Sequence, residues 1–106
     1  MICCQFVFRP GQYDEVFRDL DQRIETFARG LPGFVSTETW TSPEHGLVNA
    51  IYYFTDQASV RELARFPAHL EAKDQVHLWY DGYRIIISEV TTTYGDDNLA
   101  SVDAPR

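Results

Sequence analysis

The sequence predicts an α+β domain of ferredoxin-like βαββαβ topology, with a four-stranded antiparallel sheet and helices on one face. Three observations lead there. The chain has 106 residues, the length of one domain. Its apolar residues recur at three and four in some stretches and alternate or run together in others, the signatures of helix and strand. The order of these stretches is strand, helix, strand, strand, broken helix, strand, which is the split βαβ pattern.

Residues 2–8, Ile-Cys-Cys-Gln-Phe-Val-Phe, form the first expected strand, ended by Pro10-Gly11. A helix is expected from Gln12 to Arg29, where Tyr13, Val16, Phe17, Leu20, Ile24, Phe27 and Ala28 supply the apolar face. The intervening Asp14, Glu15, Arg18, Asp19, Asp21, Gln22, Arg23 and Glu25 are expected to form its solvated face. Gly30 is the expected left-handed stop, with Pro32 just beyond. Phe34 to Thr41 and Leu47 to Thr55 are β-rich and flank Ser42-Pro43-Glu44-His45-Gly46, so they predict a hairpin. Asp56 can cap a short helix through Ala64 or Arg65. Phe66-Pro67 interrupts it, and Pro67 suits the first turn of a new helix running to Tyr80, with Asp81-Gly82 as the stop. Tyr83 to Tyr94 is the last expected strand. The domain is expected over residues 1–95 and a flexible tail over 96–106, where the chain is polar and aperiodic.

A sheet with one wet face alternates cleanly between apolar and polar residues. In the last strand Tyr83, Ile85 and Ile87 oppose Ile86 and Val90, and in the third Leu47, Ile51 and Tyr53 oppose Val48, Ala50, Tyr52 and Phe54. Both faces are apolar, and helices cover only one. The expected partner for the other is a second copy, sheet against sheet.

Composition narrows the function classes. The net charge is −7, with no basic patch, which argues against nucleic acid and anionic membranes. No apolar run reaches the length of a membrane span, and no signal peptide is expected. The only cysteines, Cys3 and Cys4, are adjacent and so diverge in a strand; they are expected to be free thiols in a reducing cytoplasm. Aromatic residues make up 14% of the chain, more than one small core needs and suited to an aromatic ligand.

Phe66-Pro67-Ala68-His69-Leu70-Glu71-Ala72-Lys73, followed by Trp79-Tyr80 and Tyr83-Arg84-Ile85, resembles the antibiotic biosynthesis monooxygenase-like group of dimeric α/β-barrel proteins. The Leu31-Pro32-Gly33-Phe34 turn also resembles this group, and the likeness covers residues 1–94. It implies a homodimeric α/β barrel. It also implies one of several roles: oxidation of polycyclic aromatic substrates by dioxygen without metal or flavin, non-enzymatic binding or regulation, or haem degradation. The haem branch carries an Asn on the first strand and a Trp and a His on the helices. Here the first strand offers Gln5, and the other two places fall near Leu63 and Lys73.

His69, Lys73 and His77 are spaced by four, so one helix would set them on one face, with Tyr80 continuing it. In a cleft between helix and sheet, His69 or His77 would act as a base, and Lys73 would hold the resulting anion. The competing expectation is an exposed polar stripe. Trp79, Tyr52 and Tyr83 are the candidates to position an aromatic ring, and Arg84 is a further anion-stabilising candidate. Packing in the core is the alternative for Trp79. No metal is expected: His69 and His77 lie two turns apart, about 12 Å along a helix, too far to share one zinc. No cofactor is expected either, since no phosphate-binding loop or dinucleotide fingerprint is present.

Overall fold

The computed structural model describes residues 1–99. Its elements are β1 (Ile2–Pro10), α1 (Glu15–Gly30), β2 (Phe34–Ser42), β3 (Leu47–Phe54), α2 (Gln57–Arg65), α3 (Pro67–Asp74), α4 (Val76–Trp79) and β4 (Tyr80–Glu89). The four strands form one antiparallel sheet in the order β2-β3-β1-β4. This is the ferredoxin-like α+β arrangement that the sequence predicts. A short 3-10 turn, Asp97–Leu99, opens the expected tail; residues 100–106 of that tail lie outside the described residues.

Register assigns every strand residue to a face, because paired residues in a ladder point the same way. Cys4 pairs with Tyr52 and Ile87, and Phe6 with Ala50 and Ile85. Tyr52 in turn pairs with Thr37. Phe54, on this same face, is fully buried, so this is the face the helices cover. Cys3, Gln5 and Val7 belong to the other face with Asn49, Ile51, Tyr53, Trp40, Arg84 and Ile86. Trp40 there is 59% exposed, whereas Cys3, Ser36 and Ile51 on the same face are buried.

Between helices and sheet, the core gathers Leu20, Ala68 and Trp79, with Tyr13, Phe17, Ile24, Phe66, Ala72 and Tyr80 packed around them. Alpha-helix 1 supplies Leu20 and Ile24 at a spacing of four, and α3 supplies Ala68 and Ala72. The helices stop short of β4, where Tyr83, Ile85 and Ile87 remain exposed although they point to the helix side.

Several boundaries differ from expectation, each for a local reason. Helix α1 begins at Glu15, because Asp14 stays extended and its side chain accepts the Phe17 N–H. Gly30 is the last helical residue and is not left-handed. The chain leaves through Leu31, whose extended backbone is what the following Pro32 requires. The single helix expected over 67–80 is two. Around Gln75 the hydrogen bonds tighten to three-residue spacing, Gln75 N–H to Ala72 and Leu78 N–H to Gln75, and the axis turns. Asp81-Gly82 is not a stop but part of β4. Gly82 faces Arg9 beside a register irregularity and takes a φ of 157°, an angle that favours glycine. Pro10 closes β1 at that irregularity instead of breaking the strand before it. Strand β4 ends at Glu89, and Tyr94 lies beyond it in the open.

Candidate functional site

Aromatic rings concentrate on the helix-covered side of the sheet, where β1 meets the start of β4. The Phe6 ring lies 5.0 Å from Phe8, 5.1 Å from Tyr80 and 5.7 Å from Tyr83. Tyr80 is 4.7 Å from Phe8 and 5.9 Å from both Tyr13 and Phe17, which stack on one another at 4.0 Å. The cluster exists because β1 alternates Phe6 and Phe8 onto one face and α1 begins directly above them. Ile85 and Ile87 continue it toward the sheet edge as open apolar surface. The rings pack against one another beside the first turns of α1, and the exposed Ile85 and Ile87 leave a slot of open apolar surface along β4.

Polar groups border this slot. Burial pushes the Tyr52 hydroxyl up to about 12, with further rises from Glu25 and Asp21, and the Thr37 hydroxyl partly offsets this. The Tyr80 hydroxyl is raised by burial, then by Tyr13 and Asp21. Burial and the neighbouring Cys3 push the Cys4 thiol up to about 11, so it stays protonated and unreactive at neutral pH. Asp21 is raised by desolvation and by Glu25.

Among the expected catalytic residues, His69 is half-buried while Lys73 and His77 are exposed. The break at Gln75 takes His77 off the helix that carries the other two, so the four-residue spacing no longer aligns all three. Tyr80 does not extend their row, since it opens β4. His69 sits at the elbow between α2 and α3. Burial and then Lys73 lower its pKa, while a hydrogen bond with the Ala64 backbone raises it. Its Nδ1 is buried without a partner.

The expected ring-positioning residues divide. Tyr52 and Tyr83 share the helix-covered face. Trp79 is 2% exposed and belongs to the core, with its indole N–H bonded to Asp14. Arg84 points to the opposite face of the sheet from Tyr83, so one slot in this chain does not hold both. Asp21 is exposed, as sequence patterning expects, and Glu25 is half-buried.

Two shallow depressions lie elsewhere on the surface. One of about 480 Å³ is at the hairpin end between Arg9, Pro43 and Asp81, and another of about 510 Å³ is on the outer side of α1 by Phe27 and Phe66. The second is lined by Phe27 and Phe66, stacked at 4.0 Å, with Asp19, Gln22, Arg23 and Thr26. Among the described residues, no group of three His, Cys, Asp or Glu side chains is arranged to hold a metal. The residues also do not fit haem. Gln5 on β1 points away from the helices, where its side chain accepts from Asn49. No described helix is long and apolar enough to cross a membrane.

No family model matches the sequence, and no curated protein matches it. Solved structures do match the fold. Rv0793 from Mycobacterium tuberculosis superposes with a TM-score of 0.71 at 16% identity, over 89% of this chain and 98% of that one. SnoaB, a cofactor-independent oxygenase from Streptomyces nogalater, superposes with a TM-score of 0.69 at 16% identity, over 90% of this chain and 97% of that one. An antibiotic biosynthesis monooxygenase superposes with a TM-score of 0.63 at 8% identity, over 87% of this chain and all of that one. The chain therefore has the fold of the antibiotic biosynthesis monooxygenase-like proteins.

Proposed function

We propose that this protein binds a small planar aromatic molecule in the slot along β4 and oxidises it with dioxygen, without a cofactor. The observation that carries this reading is the convergence of Phe6, Phe8, Tyr80 and Tyr83 beside the uncovered Ile85 and Ile87. Offset and edge-on contacts with such rings favour a flat ligand by about 0.5–1.5 kcal/mol each beyond area burial. Likeness in fold to a cofactor-independent oxygenase supports the reaction class. In that chemistry the substrate loses a proton, and the electron-rich anion reacts with dioxygen directly. For a ring methylene the balance is CH2 plus O2 giving C=O plus water. Phe6 and Tyr83, 5.7 Å apart, would face the ring.

The working unit is a homodimer joined through the open sheet face, in keeping with the exposed Trp40 and Ile86 there. Free Cys3 and Cys4 suit a reducing cytoplasm.

The test is oxygen consumption by purified protein with an anthrone or aromatic quinol, against buffer and a Phe6→Ala variant. Uptake that falls in the variant supports the oxygenase. A ligand-dependent rise in melting temperature without oxygen uptake supports a non-enzymatic binding module of the same fold. Absence of both responses overturns the slot as a ligand site.

A further inference from the structure

The sheet face that carries Trp40 holds groups that a single chain leaves without partners. Register lays them out in rows. Trp40, Asn49 and Arg84 share one row across β2, β3 and β4, and Glu38, Gln5 and Ile86 share the next across β2, β1 and β4. At the centre, the Asn49 side-chain N–H donates to Gln5 Oε1 at 2.9 Å, while Asn49 Oδ1 is buried with no donor. A buried acceptor left without a donor is costly, and native structures keep few of them. At the two edges stand opposite charges, Glu38 on β2 and Arg84 on β4. Three strand spacings of about 4.8 Å hold them roughly 14 Å apart across the sheet, too far to meet. The Tyr53 hydroxyl reaches Glu38, but among the described residues neither Glu38 nor Arg84 lies in an ion pair. Their row neighbours Ile86 and Trp40 are exposed apolar side chains.

A two-fold axis running along the strands, between two facing sheets, answers each of these features. It turns the order β2-β3-β1-β4 end for end, so β2 of one copy crosses β4 of the other at the separation of packed sheets, roughly 10 Å. The rotation keeps the rows: Trp40 of one copy comes over Arg84 of the other, and Glu38 comes over Ile86, one step further along the strand. An arginine side chain spans that step, and its guanidinium can lie on an indole face on the way. The inner strands exchange as well, bringing the Gln5 amide on β1 over β3 and the orphaned Asn49 oxygen. An axis across the strands would instead set β2 on β2 and β4 on β4, opposing like charges.

Resting on the homodimer reading above, we propose that Arg84 and Glu38 are the residues that select a second copy of this chain as the occupant of this face. Arg84 pairs with the partner's Glu38, along the partner's Trp40, twice in each dimer. The partner's Gln5 amide supplies the donor that Asn49 Oδ1 lacks. The charges fix orientation as well as identity. Two chains of net charge −7 repel at a distance, and on this face a cation meets an acid in the arrangement with the axis along the strands.

Charge reversal in the full chain tests this, read by size-exclusion chromatography with light scattering over a dilution series. Arg84→Glu and Glu38→Arg each oppose like charges in both contacts, and each is expected to weaken self-association about a hundredfold. Mixed in equal amounts, the two variants restore both pairs, and a heterodimer of near wild-type affinity is expected. Variants that dimerise as tightly as wild type overturn the contact between Arg84 and Glu38 while leaving the homodimer standing, and so does a mixture that stays monomeric. A wild type that is monomeric at every concentration overturns the homodimer reading, and this inference with it. Circular dichroism of each variant checks its fold. Where a reversal unfolds the chain, the neutral Arg84→Gln and Glu38→Gln take its place. Their losses are expected not to add in the double variant, and additive losses overturn the contact.

Discussion

The Trp79 indole N–H donates to Asp14 Oδ1 at 3.2 Å, and the same oxygen accepts the Phe17 N–H at 2.8 Å. One carboxylate thus caps α1 and fastens it to the residue just before β4. The Phe17 backbone bond holds the Asp14 carboxyl below its usual range; desolvation opposes it, and the Trp79 side chain adds a smaller lowering.

A carboxyl held low in the folded state is stabilising at neutral pH, and that stability fades as acid protonates it. Asp14→Ala is expected to melt below wild type near pH 7. The gap should close as pH falls below the ordinary carboxyl range, about pH 4. Thermal melts across that range by circular dichroism check this. Trp79→Ala, which empties the core, is expected to lose about 3–5 kcal/mol in chemical denaturation.

The Gly33 N–H donates to the buried Ser59 Oγ at 3.1 Å, joining the turn after α1 to α2. A Cβ on Gly33 would collide with the Ser59 Oγ and crowd the Thr55 Oγ1 at 3.0 Å. Gly33→Ala is expected to cost about 1–3 kcal/mol through overpacking. Ser59→Ala is expected to cost about 1–3 kcal/mol by leaving the buried N–H unsatisfied. Urea titration of both variants measures these losses.

His69 works in the opposite chemical sense to Asp14 but gives a pH slope of the same sign. Burial lowers its pKa, so the unfolded chain binds the proton more readily than the folded one. Stability is therefore fully present above the ordinary histidine value, about 6.5, and declines as pH falls through the lower folded value. His69→Gln is expected to flatten the stability curve between about pH 7 and pH 5. Melting temperatures of both proteins over that interval check it.

If the open sheet face joins two copies, a charge placed there separates them. Trp40 is exposed in the single chain, so Trp40→Glu leaves its core intact. The expected outcome is a shift from dimer to monomer by size-exclusion chromatography with light scattering. A monomeric wild type would remove the homodimer from the proposal.

Much of the fold was legible because its signals are local. Asp56 caps α2 through its side chain, as its position before a helical run requires. Pro67 opens α3 in its first turn. The alternation of β1 and β3 correctly separated their two faces. What local pattern missed was set by distant contacts. Asp81-Gly82 has the look of a turn, yet the ladder with Arg9 draws it into β4. The spacing of His69, Lys73 and His77 assumed one straight helix, and the turn at Gln75 redirects the chain.

The two adjacent thiols carry one more consequence. Cys3 points to the open face and Cys4 into the slot, although one peptide bond separates them. Cys3 is buried and burial holds the Cys4 thiol protonated, so both resist thiol-directed labels in the folded chain. Labelling of either thiol therefore counts openings of the sheet, and labelling rates across a denaturant series read its stability without a foreign probe position.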